Sequence, residues 1–391
     1  MNFDFSAEQY EFRDAFRDYL ARDYPLAAHV RQATDYPLAT PLWAGLSGMG
    51  LFGMLVPEAH GGLGLGFIDL ALVLEELGRS LATPAAADTL AATDLLVRYG
   101  TPAQQACWLP GIASGTVRVA LAVAEDGAGH GLDGLVTSAR PIAGGYRLDG
   151  TKLMVAEAAT ADLLLVVARL PSQQQLSVFA LPRDATGIAL RPHTTLDIGA
   201  RYVEVTLSSV HCDANALIGE VGAADRLYDT AAAIAAIELV GIGQQMLRVA
   251  VEYAKQREQF GRPIGSFQAI KHRCADMAVA VDAAASAAYF AAWAIAESPH
   301  EAPRAVSIAK SFCGDAARAA CNGAIQVHGG IGFTWDLGLH YYLRRCKVLE
   351  TTWGDANWHR ERVLAETLAE MGLQAANSAT HLSESLCKLA P

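Results

Sequence analysis

Two segments in the last third of the chain carry side chains suited to gripping a dinucleotide. The first runs Arg257-Glu258-Gln259-Phe260-Gly261-Arg262-Pro263-Ile264-Gly265-Ser266-Phe267-Gln268. Arg257 offers a planar fork matched to a pyrophosphate, Phe260 a face on which a heteroaromatic ring stacks, and Gln268 an amide that both donates and accepts. Taken alone, this segment reads more simply as a helix corner with a surface arginine and a core phenylalanine. The second runs Gln326-Val327-His328-Gly329-Gly330-Ile331-Gly332-Phe333. A plain helix stop needs one glycine, whereas several let a ligand approach bare backbone amides. His328 beside them packs near a ligand or in the core; a lone histidine identifies neither.

Other polar residues read as structural. Glu238 is a lone acid within the apolar run Ala235 to Gly241, where a carboxylate is expected to accept hydrogen bonds from an arginine or a backbone amide. Arg344, Arg345, Lys347, His359, Arg360, Glu361 and Arg362 read as a mixed-charge helix face, solvated or between subunits.

The elements that must position these groups follow from periodicity. Ser6 and Gln9 form a capping box, with Phe5 able to staple onto Tyr10, and Phe12, Phe16, Tyr19 and Leu20 return at helical spacing. Further helices fit Leu42 to Gly50, Ile68 to Leu81 and Ala86 to Tyr99, giving a helical unit over residues 1–112. Short runs at Arg118 to Val123, Asp162 to Ala168, Gln175 to Leu181 and Tyr202 to Ser208, with a hairpin turn at Gly144-Gly145, predict a β domain over 113–222. Helical periodicity resumes over 223–373. Ser266 is the expected N-cap of a helix whose stripe is Ile270, Cys274, Met277 and Val281, and long helices fit Pro303 to Val327 and Leu339 to Met371. Residues 374–391 read as a loose tail.

Composition narrows the possibilities. A chain of 391 residues, 52% hydrophobic and 18% charged, holds more than one core and is not disordered over most of its length. Thirty Lys and Arg against 41 Asp and Glu leave a net charge of −11, which argues against nucleic acid and anionic lipid as partners. Seven scattered cysteines without a CxxC pair read as buried thiols in a reducing cytoplasm, and no metal-ligand spacing is present. Asp4 and Glu8 break any signal-peptide layout, and Met277 to Ala296, rich in Ala and carrying Asp282, reads as a packed helix instead of a membrane span.

In this order, after a helix–β–helix chain of this length, the two glycine-bearing segments resemble those of the acyl-CoA dehydrogenase family of flavoproteins. The resemblance spans nearly the whole chain and includes the loop Pro57 to Gly66, the run Leu74-Glu75-Glu76-Leu77-Gly78-Arg79 and a middle-domain turn Asp149-Gly150-Thr151-Lys152. It implies a multi-domain α+β fold: an N-terminal α-helical domain, a middle β-barrel or sandwich domain and a C-terminal four-helix bundle. It also implies FAD held by Arg257, Phe260, Gln268, Gln326, Gly329 and Gly330, an acyl-CoA substrate, and an electron-transferring flavoprotein as acceptor. Enzymes of the family oxidise the Cα–Cβ bond of the thioester: a carboxylate takes the α-proton and the β-hydrogen leaves as hydride to the flavin.

This chain departs from the family pattern where catalysis would occur. The usual base position, directly before Gly354, holds Trp353; the alternative position on the preceding long helix holds Ala231, with Ala232 beside it. Ala122-Val123-Ala124 stands where many members have Thr-Glu-Pro, and Met154 and Ala156 stand where a tryptophan and a hydroxyl residue hold the flavin ring. In the family's oligomers the middle domain of one subunit holds the ring while a neighbour clamps the pyrophosphate and adenine. The expectation is therefore a chain that lends its clamp to a flavin seated in a homologous partner that carries the base, as in heteromeric bacterial dehydrogenases for steroid side-chain thioesters. The competing expectation is a self-sufficient homo-oligomer with a displaced base, Asp355 being the candidate and Glu350 lying one turn before Trp353. A non-catalytic structural partner, or an oxidase or monooxygenase on the same fold, are further alternatives.

Overall fold

The structure, a computed structural model, describes residues 5–26, 39–170, 175–219 and 221–371. The expected tail, residues 374–391, lies outside the described residues. Helix α1 (Ala7–Asp23) begins where its local chemistry dictates: Ser6 Oγ accepts from Gln9 N, Gln9 Oε1 accepts from Ser6 N, and Phe5 meets Tyr10 edge-on at 5.9 Å. Helices α2 (Ala39–Gly48), α3 (Phe67–Arg79), α4 (Pro84–Tyr99) and α5 (Pro102–Ala113) complete the N-terminal helical domain. Thr83 and Thr101 cap the starts of α4 and α5, each followed by proline at a first-turn position.

The middle domain is built of β1 (Val119–Ala122), β2 (Ser138–Ile142), β3 (Gly145–Ala156), β4 (Leu163–Leu170), β5 (Gln175–Pro182), β6 (Ile188–His193), β7 (Tyr202–Asp213) and β8 (Leu217–Ile218). They form one sheet in the order β6-β7-β3-β2-β4-β5-β8, with β1 paired parallel to β4 off that path. Strand β4 is buried on both faces, which is why its sequence is continuously apolar: Leu164 and Val166 face the sheet's own core, Leu163, Leu165 and Val167 the helical core. Asp149 to Lys152 is not a turn. It lies inside β3, whose pairing with β7 shifts register between Leu148 and Gly150, and Lys152 is fully buried with its Nζ donating to Val123 O at 3.0 Å and Glu125 Oε1 at 2.6 Å.

The C-terminal bundle consists of α6 (Ala223–Gln256), α7 (Gln268–Glu297) and α8 (Ala302–His328), with α9 (Leu339–Thr351) and α10 (Ala356–Glu370) against α8. A small hairpin, β9 (Glu258–Gln259) and β10 (Arg262–Pro263), links α6 to α7. Helices α6 and α7 are long and apolar enough to cross a membrane by length and composition, but α6 packs along its length on α3, α4, α7 and α8. Where α3 crosses α6, Gly78 faces the Glu238 carbonyl and Gly241 the Glu75 carbonyl so closely that a Cβ at Gly241 would sit 1.9 Å from Glu75 O. Side-chain-free contact at this crossing fixes the height of Glu238 in the bundle.

Four expectations are corrected here. Of the six described cysteines Cys313, Cys321 and Cys346 are buried, but Cys107 is exposed and Cys212 and Cys274 are half-buried, so the thiols are not all interior. Leu339 to Met371 is two helices, not one: Trp353 and Gly354 take left-handed φ of +61° and +91°, and Asp355 caps α10 by accepting from Trp358 N at 2.8 Å. Lys310 from α8 donates to Gly354 O at 2.9 Å and to Glu350 O at 3.1 Å, and the His359 ring lies 2.8 Å from Trp353 O, so the break is held from both sides. Ser266 is not the N-cap of α7; Phe267 occupies that position and makes no side-chain cap. Arg345 and His359 do not belong to a solvated charged face. Both are buried, because Arg345 pairs with Asp197 and donates to Ala82 O at 2.8 Å, joining all three domains, while His359 Nδ1 lies 3.2 Å from Ser307 Oγ.

Candidate functional site

The end of α6 and the end of α8 lie side by side, because Tyr253 stacks on His328 with ring centroids 4.2 Å apart. This brings the Arg257 and Gly329 segments together. Helix α6 stops at Arg257, and the chain turns through Phe260 and Gly261, both at positive φ, before Ile264 N donates back to Arg257 O at 2.8 Å. Phe260 is 91% exposed, so it is no core residue; among the described residues its ring meets one other aromatic ring, that of Phe267, edge-on at 6.1 Å. Arg257, Gln268, Gln326 and Gly330 are exposed as well, and the Arg257 guanidinium has no hydrogen-bond or ion-pair partner among the described residues. Gly329 ends α8 at φ +64°, which explains that glycine. Gly330 has no such need: it is not at positive φ, and a Cβ there would meet no atom within 4 Å. Ile331, Phe333 and Trp335 continue the exposed apolar surface beyond it.

A second region lies elsewhere. A cavity of about 580 Å³ opens where the three domains meet, lined by Asp88 of α4, Leu121 and Val123 to Ala124, Met154 and Ala156 of β3, Tyr202 of β7, the α6 residues Tyr228, Ala231, Ala235 and Glu238, and Thr352 to Gly354. None of Arg257, Phe260, Gln268, Gln326, Gly329 or Gly330 lines it. Trp353 packs edge-on against Tyr228 at 5.7 Å, filling the position where a base was sought. Ala231 leaves the alternative position bare.

Asp355 is spent on another task. One oxygen caps α10, the other lies 3.5 Å from His130 Nε2, and the capping bond from Trp358 N holds its carboxyl below the usual range. A carboxylate so held is a poor proton acceptor, and Asp355 is not among the cavity-lining residues. Glu350 faces Arg318 and Lys347 in ion pairs and is likewise absent from the cavity wall. Among the described residues the carboxyls that do reach the cavity are Asp88 and Glu238. Burial is the main cause that lifts Glu238 to about 7 and Asp88 to about 8. Glu238 does not accept the hydrogen bonds expected of it: no partner donates to it among the described residues, and Arg345 acts on it only through charge.

Residues 6–116, 120–210 and 221–368 match, in turn, the N-terminal, middle and C-terminal domains described for acyl-CoA dehydrogenases. The chain is 33% identical over 377 residues to a probable acyl-CoA dehydrogenase of Bacillus subtilis, YngJ, covering 92% of this chain and 98% of that one. The chain belongs to the acyl-CoA dehydrogenase family. It is 32% identical over 357 residues to the benzylmalonyl-CoA dehydrogenase of Aromatoleum aromaticum, covering 88% of this chain and 93% of that protein. Among solved structures it resembles a chain of the ChsE4-ChsE5 complex from Mycobacterium tuberculosis, with TM-score 0.87 and 28% identity, covering 95% of this chain and 99% of that one.

As an acyl-CoA dehydrogenase family enzyme it is an oxidoreductase of the CH–CH group, and its cofactor is FAD. The surface corner fits the dinucleotide part of that cofactor: an unpaired guanidinium, an exposed ring and a backbone left bare at Gly330 are what a pyrophosphate and an adenine require. The wall around Ala122 to Ala124, Met154 and Ala156 offers few side-chain hydrogen bonds to a flavin ring. The sequence singles out the residues that the fold brings together in the surface corner, but not Asp88 and Tyr202. An aspartate within the apolar stretch of α4 was the signal available for the first.

Proposed function

We propose that this chain takes part in Cα–Cβ oxidation of an acyl-CoA thioester as one subunit of an oligomer whose flavin sites are shared between chains. The observation that carries the reading is the separation of its two polar regions. The clamp is exposed and contributes no residue to the wall of the chain's own cavity, with Phe260 91% exposed and an open surface over Gly330. A clamp of this kind is complete only when another molecule brings the rest of the cofactor to it.

Arg257 would hold the pyrophosphate by charge-assisted hydrogen bonds, Phe260 would stack on the adenine, and the Gly329-Gly330 backbone, with Gln326 and Gln268, would line its approach. When bound, FAD supplies a hydride acceptor for the β-hydrogen of the thioester. The α-proton has no acceptor at Trp353 or Ala231, so it passes to a carboxylate of a homologous partner chain. The ChsE4-ChsE5 structure, a complex of two related chains, supports this arrangement for a protein of this architecture. Electrons would leave to an electron-transferring flavoprotein. The six described cysteines, all free, support a reducing compartment such as the cytoplasm.

Co-expression with homologues, followed by native mass and flavin-per-chain measurement, tests the reading. A mixed oligomer in which FAD appears only with the partner is the expected result. An isolated chain that binds one FAD per subunit and oxidises an acyl-CoA overturns it.

A further inference from the structure

The cavity runs along α6, and its two ends differ in chemistry. Tyr228, Ala231, Ala235 and Glu238 line it at spacings of three, four and three residues, one face of the helix. At the Tyr228 end stands Trp353, in the position of the missing base. Glu238 stands about 15 Å further along the helix at 1.5 Å per residue. Asp88 from α4 and Tyr202 from β7 gather there, each within range of the charge on Glu238. The alanines between present small apolar side chains on the α6 side of the passage.

The Glu238 end is built for a ligand that is itself polar. Residues Glu238 and Tyr202 are 3% and 5% exposed, both line the cavity, and neither the carboxyl nor the phenol makes a hydrogen bond to a described residue. Asp88 uses one oxygen to accept from Leu121 N at 3.1 Å. Arg345 stands behind them and does not line the cavity; its Nε and Nη1 are engaged with Asp197 and the Ala82 carbonyl, while its Nη2 has no partner among the described residues. Near neutrality burial keeps protons on a large share of the two carboxyls, so they offer O–H donors as well as carbonyl acceptors. A plain alkyl terminus would leave these groups dry and unpaired, an arrangement that polar sites reject strongly. A carboxylate terminus would meet the carboxyls of Asp88 and Glu238.

We propose that Asp88, Tyr202 and Glu238 form the recognition end of the acyl cavity for a neutral oxygen group, a hydroxyl or a ketone, carried by the acyl chain far from its thioester. The assignment rests on the acyl-CoA reading above for the class of ligand and concerns what this chain's own cavity binds, the flavin and the base of that reading lying with the partner chain. Glu238 is thus a specificity residue and not the base, since it lies two turns beyond Ala231.

The test is equilibrium binding, by calorimetry, of acyl-CoA thioesters of increasing chain length to the full chain in its native oligomer. Each length is offered with a methyl, hydroxyl, carboxyl or amino terminus. At the length that spans the cavity the hydroxyl form is expected to bind about 10-fold more tightly than the methyl form. Glu238→Leu is expected to erase that preference without weakening the methyl form, Glu238→Gln to retain most of it, and Tyr202→Phe to reduce it about threefold. Equal affinity of methyl and hydroxyl forms at every length overturns the inference and leaves the acyl-CoA reading standing. Tightest binding of the amino or carboxyl form overturns the neutral-group assignment. Failure of every thioester to bind overturns both.

Discussion

Arg257 and Phe260 lie at the surface, the guanidinium without a partner among the described residues and the ring in contact with Phe267, whereas Arg345, Lys152 and Lys310 are buried and each donates to a carboxylate, a carbonyl or both. Water satisfies the first group while the chain waits for a ligand. The second group is held by protein partners, with only Nη2 of Arg345 left without one among the described residues, and leaving a buried charge unpaired altogether costs several kcal/mol. The same residue types therefore report on different properties: loss of a partner inside appears as lost stability, loss of a group outside as lost binding.

Arg345→Met is the largest test of that contrast. It removes the cation from between the three domains and leaves Asp197 buried without its partner, so urea unfolding should show a loss of about 3–5 kcal/mol. A loss below about 1 kcal/mol would mean that the interior pair is solvated and the contrast is false. Arg257→Ala is its counterpart outside. Flavin affinity in the assembled oligomer should fall about 10- to 100-fold, read from flavin fluorescence on dilution. The same urea curve should move by no more than about 0.5 kcal/mol, because the side chain packs on nothing that folding requires.

Local features were legible in the sequence and long-range ones were not. The Ser6–Gln9 capping box, the period-two burial of Val203, Val205 and Leu207, and the glycine-bearing turns after α6 and α8 depend on neighbours a few residues away. The break between α9 and α10 depends on Lys310 and His359 reaching carbonyls from other helices, while both flanking segments keep helical periodicity. Arg345 and His359 looked like surface charges because the groups that bury them, Asp197 and Ser307, lie far away in the chain. The cavity's polar end joins positions 88, 202 and 238, from three separate elements. Only Glu238 stood out, and its missing hydrogen-bond partner could be learned only from the folded chain.

Glu238 also gives the interior a pH signature that the surface clamp lacks. Its native carboxyl, lifted from 4.5 to about 7, holds a proton that the unfolded chain releases near 4.5. Its contribution to stability is therefore fullest below pH 4.5, declines as pH rises toward 7, and is level above that. Glu238→Gln should gain on the parent chain across this window by on the order of 2 kcal/mol, measured as the difference between urea midpoints at pH 5 and pH 8. A constant difference would mean that the carboxyl is solvated in the native state.

Gly330→Ala has the smallest expected effect and the sharpest meaning. A methyl group there meets no atom of its own chain within 4 Å, and the backbone is not in the left-handed region, so the isolated fold has no use for glycine at this position. Stability should stay within about 0.5 kcal/mol of the parent. If a cofactor or a partner rests on the bare amide, the same methyl group holds it away, and flavin retention in the oligomer should fall about 10-fold. Gly329→Ala separates the two causes: it sits at φ +64° and ψ −142°, a region that essentially glycine alone adopts, so it should lose about 1–3 kcal/mol of stability whether or not anything binds. A Gly330→Ala chain with full flavin retention and unchanged assembly would place the dinucleotide elsewhere. The exposed ring of Phe260 would then need another occupant.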